Sequence, residues 1–315
     1  MERKVMVLGE SIVEPGERKL IRFPVGHLAS GTRIYIHVNV NRSLRKGPTL
    51  LLIGGMHGDE INGTEIVRRA AHRYGRQALD MGTLITIPLL NLYGFIHFTR
   101  DVSDGKDVNR SFPGSAKGSL ASRIANIIYK KILPEVDVIL DFHTGGGQRY
   151  NYPQIRYSKN DLSCRTLAEV FHAPFTLAAS LKPNSLRQYA QKLKIPTLAF
   201  EGGEAARFDG FSIEKGLQGI QFILQYLQMI PTTLEPASAT QSLIEDTWVR
   251  APYSGIFIWQ RCSGVYINKG EILGSISDPD QTRVEYIKSK ISGYIIGHTN
   301  APVVHVGDAL FHIGR

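Results

Sequence analysis

The chain has 315 residues, 43% hydrophobic and 21% charged, which excludes disordered and fibrous classes and allows one large core or one medium and one small core. Its formal net charge of +9 is spread without a block of about five or six basic residues, so nucleic acid is not an expected partner. There is no apolar run of about 18 residues, no secretory leader and no paired cysteine motif around Cys164 or Cys262. The expectation is therefore a cytoplasmic protein with no membrane span, no disulfide framework and no thiolate metal site.

In chain order, Thr32 to Val40 alternates apolar and polar residues and predicts a half-exposed antiparallel edge strand. Four short, nearly continuous apolar runs follow, at residues 49–53, 83–87, 136–140 and 196–200, and suit strands buried on both faces. Between them, helical spacing covers residues 60–74, 119–132, 162–171 and 216–229. Strand and helix in alternation argue for an α/β sandwich over residues 1–235. From Pro231 to Ser242 the chain turns small and polar, as a linker does, and residues 245–315 then read as a small all-β domain.

Polar groups follow each apolar run where a core has no use for them. Gly54-Gly-Met-His-Gly-Asp-Glu60 comes after the first, Asn91 after the second, Asp141-Phe-His143 after the third and Glu201-Gly-Gly-Glu204 after the fourth. Ligands of open α/β sheets bind beyond the carboxyl ends of the strands, so these groups are expected to converge. His57 and Glu60, three apart on a glycine-flanked loop entering a helix, can grip one ion, and His143 supplies a third donor from another strand end. Two His and one Glu leave a position open for water, the pattern of a catalytic zinc, although cobalt, nickel or manganese fits the same donors.

Glu201, at a strand end before two glycines, has the position of a general base, whereas Glu204 reads as a helix cap. Asp141 either orients His143 or accepts a backbone hydrogen bond. Asn109 and Arg110, in Asp107-Val-Asn-Arg110, form a pair suited to a substrate carboxylate. Arg100 either stabilises an oxyanion or is a surface arginine. Gly145-Gly-Gly147 is no dinucleotide fingerprint, and no GxSxG elbow is present.

With these residues in place, the sequence resembles the succinylglutamate desuccinylase/aspartoacylase family. The matching motifs are Gly55-Met-His-Gly-Asp-Glu60, Asn91 with Arg100, Asp107-Val-Asn-Arg110, Asp141-Phe-His143 and Phe200-Glu-Gly202. The resemblance implies a zinc carboxypeptidase-like mixed sheet flanked by helices, with one zinc per chain on His57, Glu60 and His143. It further implies that Glu201 activates water, Arg100 polarises the scissile carbonyl and Asn109 with Arg110 holds the carboxylate of a small N-acyl amino acid, which is hydrolysed to an acid and an amine. A metallocarboxypeptidase and a catalytically inactive carboxylate-binding protein are the alternatives. The segment from Asp101 to Val108 looks longer than in the aspartoacylase branch. No position matches the arginine that reads an acidic side chain in some members.

Residues 251–256 recur loosely as 290–295, and 265–273 as 303–310. This quasi-repeat resembles a biotinyl/lipoyl-type barrel sandwich, but its hairpin tip near Asp278 to Gln281 lacks a carrier lysine, which implies a lid or assembly role. Homo-oligomerisation is left open by the sequence.

Overall fold

The structure, a computed structural model, describes residues 5–28, 30–236 and 239–315. A small hairpin, β1 (Met6–Leu8) and β2 (Ser11–Val13), precedes the long antiparallel pair β3 (Arg18–His27) and β4 (Arg33–Arg42). Here β3 forms the sheet edge and β4 lies inside it, paired to the next sheet strand, so the alternating segment is one strand further in than expected.

The α/β part then follows as β5 (Thr49–Ile53), α1 (Ile61–Tyr74), β6 (Thr83–Ile87), α2 (Leu92–His97), α3 (Leu120–Ile127), β7 (Val138–Gly145), β8 (Arg149–Ser158), α4 (Leu162–Phe171), β9 (Phe175–Ala179), α5 (Leu186–Lys192), β10 (Thr197–Glu204) and α6 (Gly210–Tyr226). β5, β6, β7 and β10 run parallel in the order β10-β7-β5-β6, with β4 and β3 antiparallel on one side and β8 antiparallel on the other. Every residue of β5 and β6 is buried. Alternation sends Leu51 and Ile53 into the core shared with α3, and Leu50 and Leu52 into the core shared with α1, α4 and α6, as a sheet covered on both faces requires.

The C-terminal part comprises β11 (Gln241–Leu243), β12 (Asp246–Arg250), β13 (Gly255–Trp259), β14 (Tyr266–Ile267), β15 (Ile272–Ser277), β16 (Val284–Lys288), β17 (Gly293–Thr299), β18 (Val303–Val304) and β19 (Ala309–Gly314). It has its own apolar cluster around Phe257, Leu273, Ile276 and Phe311. Two features tie it to the main sheet. β17 pairs with the start of β8 at residues 149–151, and β11, in the stretch read as a linker, pairs with β9, which lies along the rest of β8. Asn300 also donates from Nδ2 to Glu204 Oε2 (2.7 Å), so Glu204 anchors this contact. Among the described residues, no helix is long and apolar enough to cross a membrane.

Candidate active site

His57 and Glu60 sit in the turn between β5 and α1. Gly55, at φ +60°, allows the sharp exit from β5, and Asn91 caps α2 beside it by accepting from Gly94 N. His143 lies near the end of β7 and Glu201 near the end of β10, and the strand register sets them side by side. Both are inside their strands: β7 and β10 run on through Asp141 to Gly145 and through Glu201 to Glu204, past where the apolar pattern stops.

Donor atoms of His57, Glu60 and His143 all lie within 4.8 Å of one another, and the three residues are buried. Glu60 Oε1 is 2.8 Å from His57 Nδ1, and Glu60 Oε2 is 2.8 Å from His143 Nδ1. The two Nδ1 atoms are 3.3 Å apart. On the far side of each ring, His143 Nε2 meets Asp141 Oδ2 at 2.8 Å and His57 Nε2 meets Asp107 Oδ1 at 3.2 Å. A neutral ring that donates its Nε2–H to such a carboxylate turns its Nδ1 lone pair toward the point that Glu60 also faces. Two facing lone pairs beside a carboxylate call for a shared cation. The donor chemistry fits a divalent ion of the class served by imidazole and carboxylate.

Electrostatics point the same way. Burial alone would raise the Glu60 carboxyl, but the facing His57 and His143 outweigh it and hold it well below the usual range. Burial likewise works against the Asp107 carboxylate, and His57 with Arg100 overrides it. Burial opposes charge on His57 and His143 too, yet the carboxylates around them push both upward, so positive charge is favoured at this spot.

The triad opens into a cavity of about 290 Å³. Glu201 lines it, with Oε2 accepting from Asn151 Nδ2 at 2.9 Å. Arg100 lines it as well, but its guanidinium is engaged: Nε and Nη2 donate to Asp107 Oδ2 (3.2 and 2.9 Å) and Nη1 to Glu60 Oε1 (3.3 Å). Asn109 lines the cavity too, and its Oδ1 accepts from Leu186 N at 2.9 Å, which joins its loop to α5. Arg110 is exposed at the rim.

Three contributors escaped the sequence reading. Asp107 braces both His57 and Arg100, and its aspartate start to the Asp-Val-Asn-Arg motif was the available signal. Arg156 on β8 and Arg187 on α5 also line the cavity. The Nε atoms of both are buried without a partner, while Arg156 Nη1 is 3.6 Å from Glu201 Oε1 and Arg187 Nη2 donates to Ala179 O. Burial and then the neighbouring Arg156 depress the pKa of Arg187, and the nearby Glu201 and Asp141 only partly offset them. With Arg100, Arg110, Arg149 and Lys182, these two arginines give the cavity a cationic excess over Glu60, Asp141 and Glu201.

Residues 46–227 match the model of the succinylglutamate desuccinylase/aspartoacylase catalytic domain. The chain belongs to this family. Among its similar proteins is the N-alpha-acetyl-L-2,4-diaminobutyric acid deacetylase of Halomonas elongata, 24% identical over 283 residues that cover 84% of this chain and 81% of that one. A family member of known crystal structure from Rhodobacter sphaeroides is 26% identical, with a TM-score of 0.85 and 95% of each chain covered. The product-bound ectoine utilization protein EutE (DoeB) from Ruegeria pomeroyi shares the fold at 20% identity, with a TM-score of 0.86 over 100% of this chain and 99% of that one.

Proposed function

We propose that this family member is a zinc-dependent deacylase that hydrolyses the amide bond of a small N-acyl amino acid. The observation that carries the reading is one cavity holding a three-donor cluster, an adjacent carboxylate at Glu201 and an excess of guanidinium groups. Family membership and the similarity to a deacetylase of an N-acetylated diamino acid support the reaction class.

His57, Glu60 and His143 would hold one zinc per chain, with Asp107 and Asp141 fixing the two rings. A bound ion of this kind supplies Lewis acidity and lowers the pKa of water. Glu201 accepts the proton of the attacking water and delivers it to the amide nitrogen as the C–N bond breaks, giving a carboxylate and a free amine. Asn151 keeps the Glu201 carboxylate in place for that transfer. Arg100, braced by Asp107, presents its charge beside Glu60, where the carbonyl oxygen gains negative charge. Asn109 and Arg110, with the cationic wall behind them, receive the free carboxylate of the substrate.

In the same reading, residues 1–235 form the hydrolase unit. Residues 245–315 form a barrel-sandwich unit that covers the site rather than carrying a prosthetic group. A covered site admits small N-acyl amino acids in the cytoplasm and disfavours the long chains of a carboxypeptidase.

The test is metal analysis with an amine-release assay over N-acyl amino acids and blocked dipeptides. The expected result is about one zinc per chain, turnover of the former, and a fall of about 10²–10⁴-fold or more in Glu201→Gln with zinc retained. Zinc-replete protein that binds carboxylates but releases no amine from any of them would refute the enzyme.

A further inference from the structure

After Glu201, the described residues supply one further side chain to the lining of the cavity, Trp248 of β12. The strand register sets Trp248 opposite His312 of β19, and the two rings stack face to face, with centroids 4.2 Å apart and planes at 5°. His312 is itself held: its Nε2 lies 2.6 Å from Asp246 Oδ2, two residues before Trp248 on the same strand. Burial depresses the His312 pKa despite this carboxylate, so the ring is neutral near pH 7, with the Nε2–H donated to Asp246. One indole face is therefore occupied by a fixed imidazole, and Trp248, half-buried, turns the remainder toward the cavity.

The rest of the lining is mostly charged, polar or without a large side chain; among the described residues, Ala179 and Ala199 are its only other apolar residues. Among the described residues, Trp248 is thus the one large apolar surface in a strongly polar pocket. A carboxylate or an amide gains little from such a surface, whereas a hydrocarbon segment gains the removal of its area from water.

We infer that Trp248 determines specificity by packing against the hydrocarbon portion of the substrate, and that Asp246 and His312 are positioning residues acting through it. The substrate class is an N-acyl amino acid with several adjoining carbons in its side chain or acyl group, in preference to N-acetylglycine. This inference rests on the deacylase reading above.

Two homologous series test it, N-acetyl amino acids with linear side chains of growing length and N-acyl glycines with growing acyl chains. In the native protein, KM falls with length in one of the series. Trp248→Ala flattens that dependence and raises KM for the longest member about 10-fold, equivalent to about 1.4 kcal/mol, with kcat within about threefold. Trp248→Phe restores most of the dependence. His312→Ala raises the same KM about fivefold in the native background and less than about twofold beside Trp248→Ala, because its effect passes through the indole.

The chain has two tryptophans, so a Trp259→Phe background isolates Trp248 fluorescence for titration with the same compounds in metal-stripped protein. That readout separates the two claims: a ligand-dependent change here, with no turnover of the same compounds by zinc-replete protein, removes the deacylase reading and keeps the Trp248 contact. Equal length dependence in the native and Trp248→Ala proteins, or equal effects of His312→Ala in both backgrounds, overturns the inference. So does an indole signal indifferent to every member of both series.

Discussion

Replacing Gly58 with alanine should detach the His57–Glu60 turn from its place while touching neither side chain. A Cβ at Gly58 falls 1.9 Å from the carbonyl carbon of Gly94 and 2.1 Å from Phe95 N, both backbone atoms of α2. Reaching ordinary contact of 3.4 Å requires a shift of about 1.5 Å in the turn or in α2. The helix is poorly free to yield, since Asn91 caps it at Gly94 N and ties it through Nδ2 to Arg100 O. The turn must move, carrying His57 and Glu60, whereas metal ligands tolerate displacements of only about 0.2 Å. Zinc affinity should fall at least ~100-fold, about 2.7 kcal/mol, alongside an overpacking cost of about 1–3 kcal/mol in stability. Calorimetric titration of metal-stripped Gly58→Ala with zinc reads this directly, with far-UV circular dichroism confirming the fold. Gly210→Ala serves as the control, because its Cβ meets nothing within 4 Å. A folded Gly58→Ala protein that binds zinc within threefold of native affinity would refute the claim that this backbone contact fixes the donor set.

Asp107→Asn weakens the brace on both His57 and Arg100, and zinc affinity should fall about 10–100-fold, measured by competition with a chelator. Arg187→Met relieves the repulsion with Arg156 and removes a cation from the cavity; KM for N-acyl amino acids should rise severalfold while thermal stability is kept or improved, read by steady-state kinetics and calorimetry. Burial depresses the His298 pKa from 6.5 to about 4, with its Nδ1 2.6 Å from Ser263 Oγ. The unfolded chain therefore takes up the proton first. The contribution of His298 is intact above pH 6.5 and is lost as pH falls toward 4, by up to about 3 kcal/mol. Urea unfolding across that range should show His298→Asn with a shallower pH dependence, and identical slopes would rule out burial of a neutral imidazole here.

The parallel strands were legible because burial on both faces leaves an unbroken apolar run: β5 and β6 fall at the residues read from sequence. The meeting of His57, Glu60 and His143 was legible for a related reason, since polar groups directly after such runs have nowhere to go but the strand ends. Where polarity is satisfied inside the sheet, the pattern failed. β8 carries Asn151, Gln154 and Arg156 and a proline, so no apolar run marks it as a strand, yet Asn151 is spent on Glu201 and Gln154 on Ile296 O. With β8 hidden, Arg156 had no address. The β17–β8 and β11–β9 pairings were invisible because each joins distant segments, and no local periodicity encodes a partner.

The fork at β8 also bears on the order in which the molecule can be finished. Its edge is shared between β9 and a strand nearly 150 residues further on, and Trp248 reaches the cavity only when β12 has paired with β19, which ends at Gly314. The donor triad is carried by the turn after β5 and by β7, whereas the opposite wall of the cavity takes Trp248 from β12, far along the chain. Under the proposed reading, folding in chain order would complete the donor set before the wall that contacts substrate.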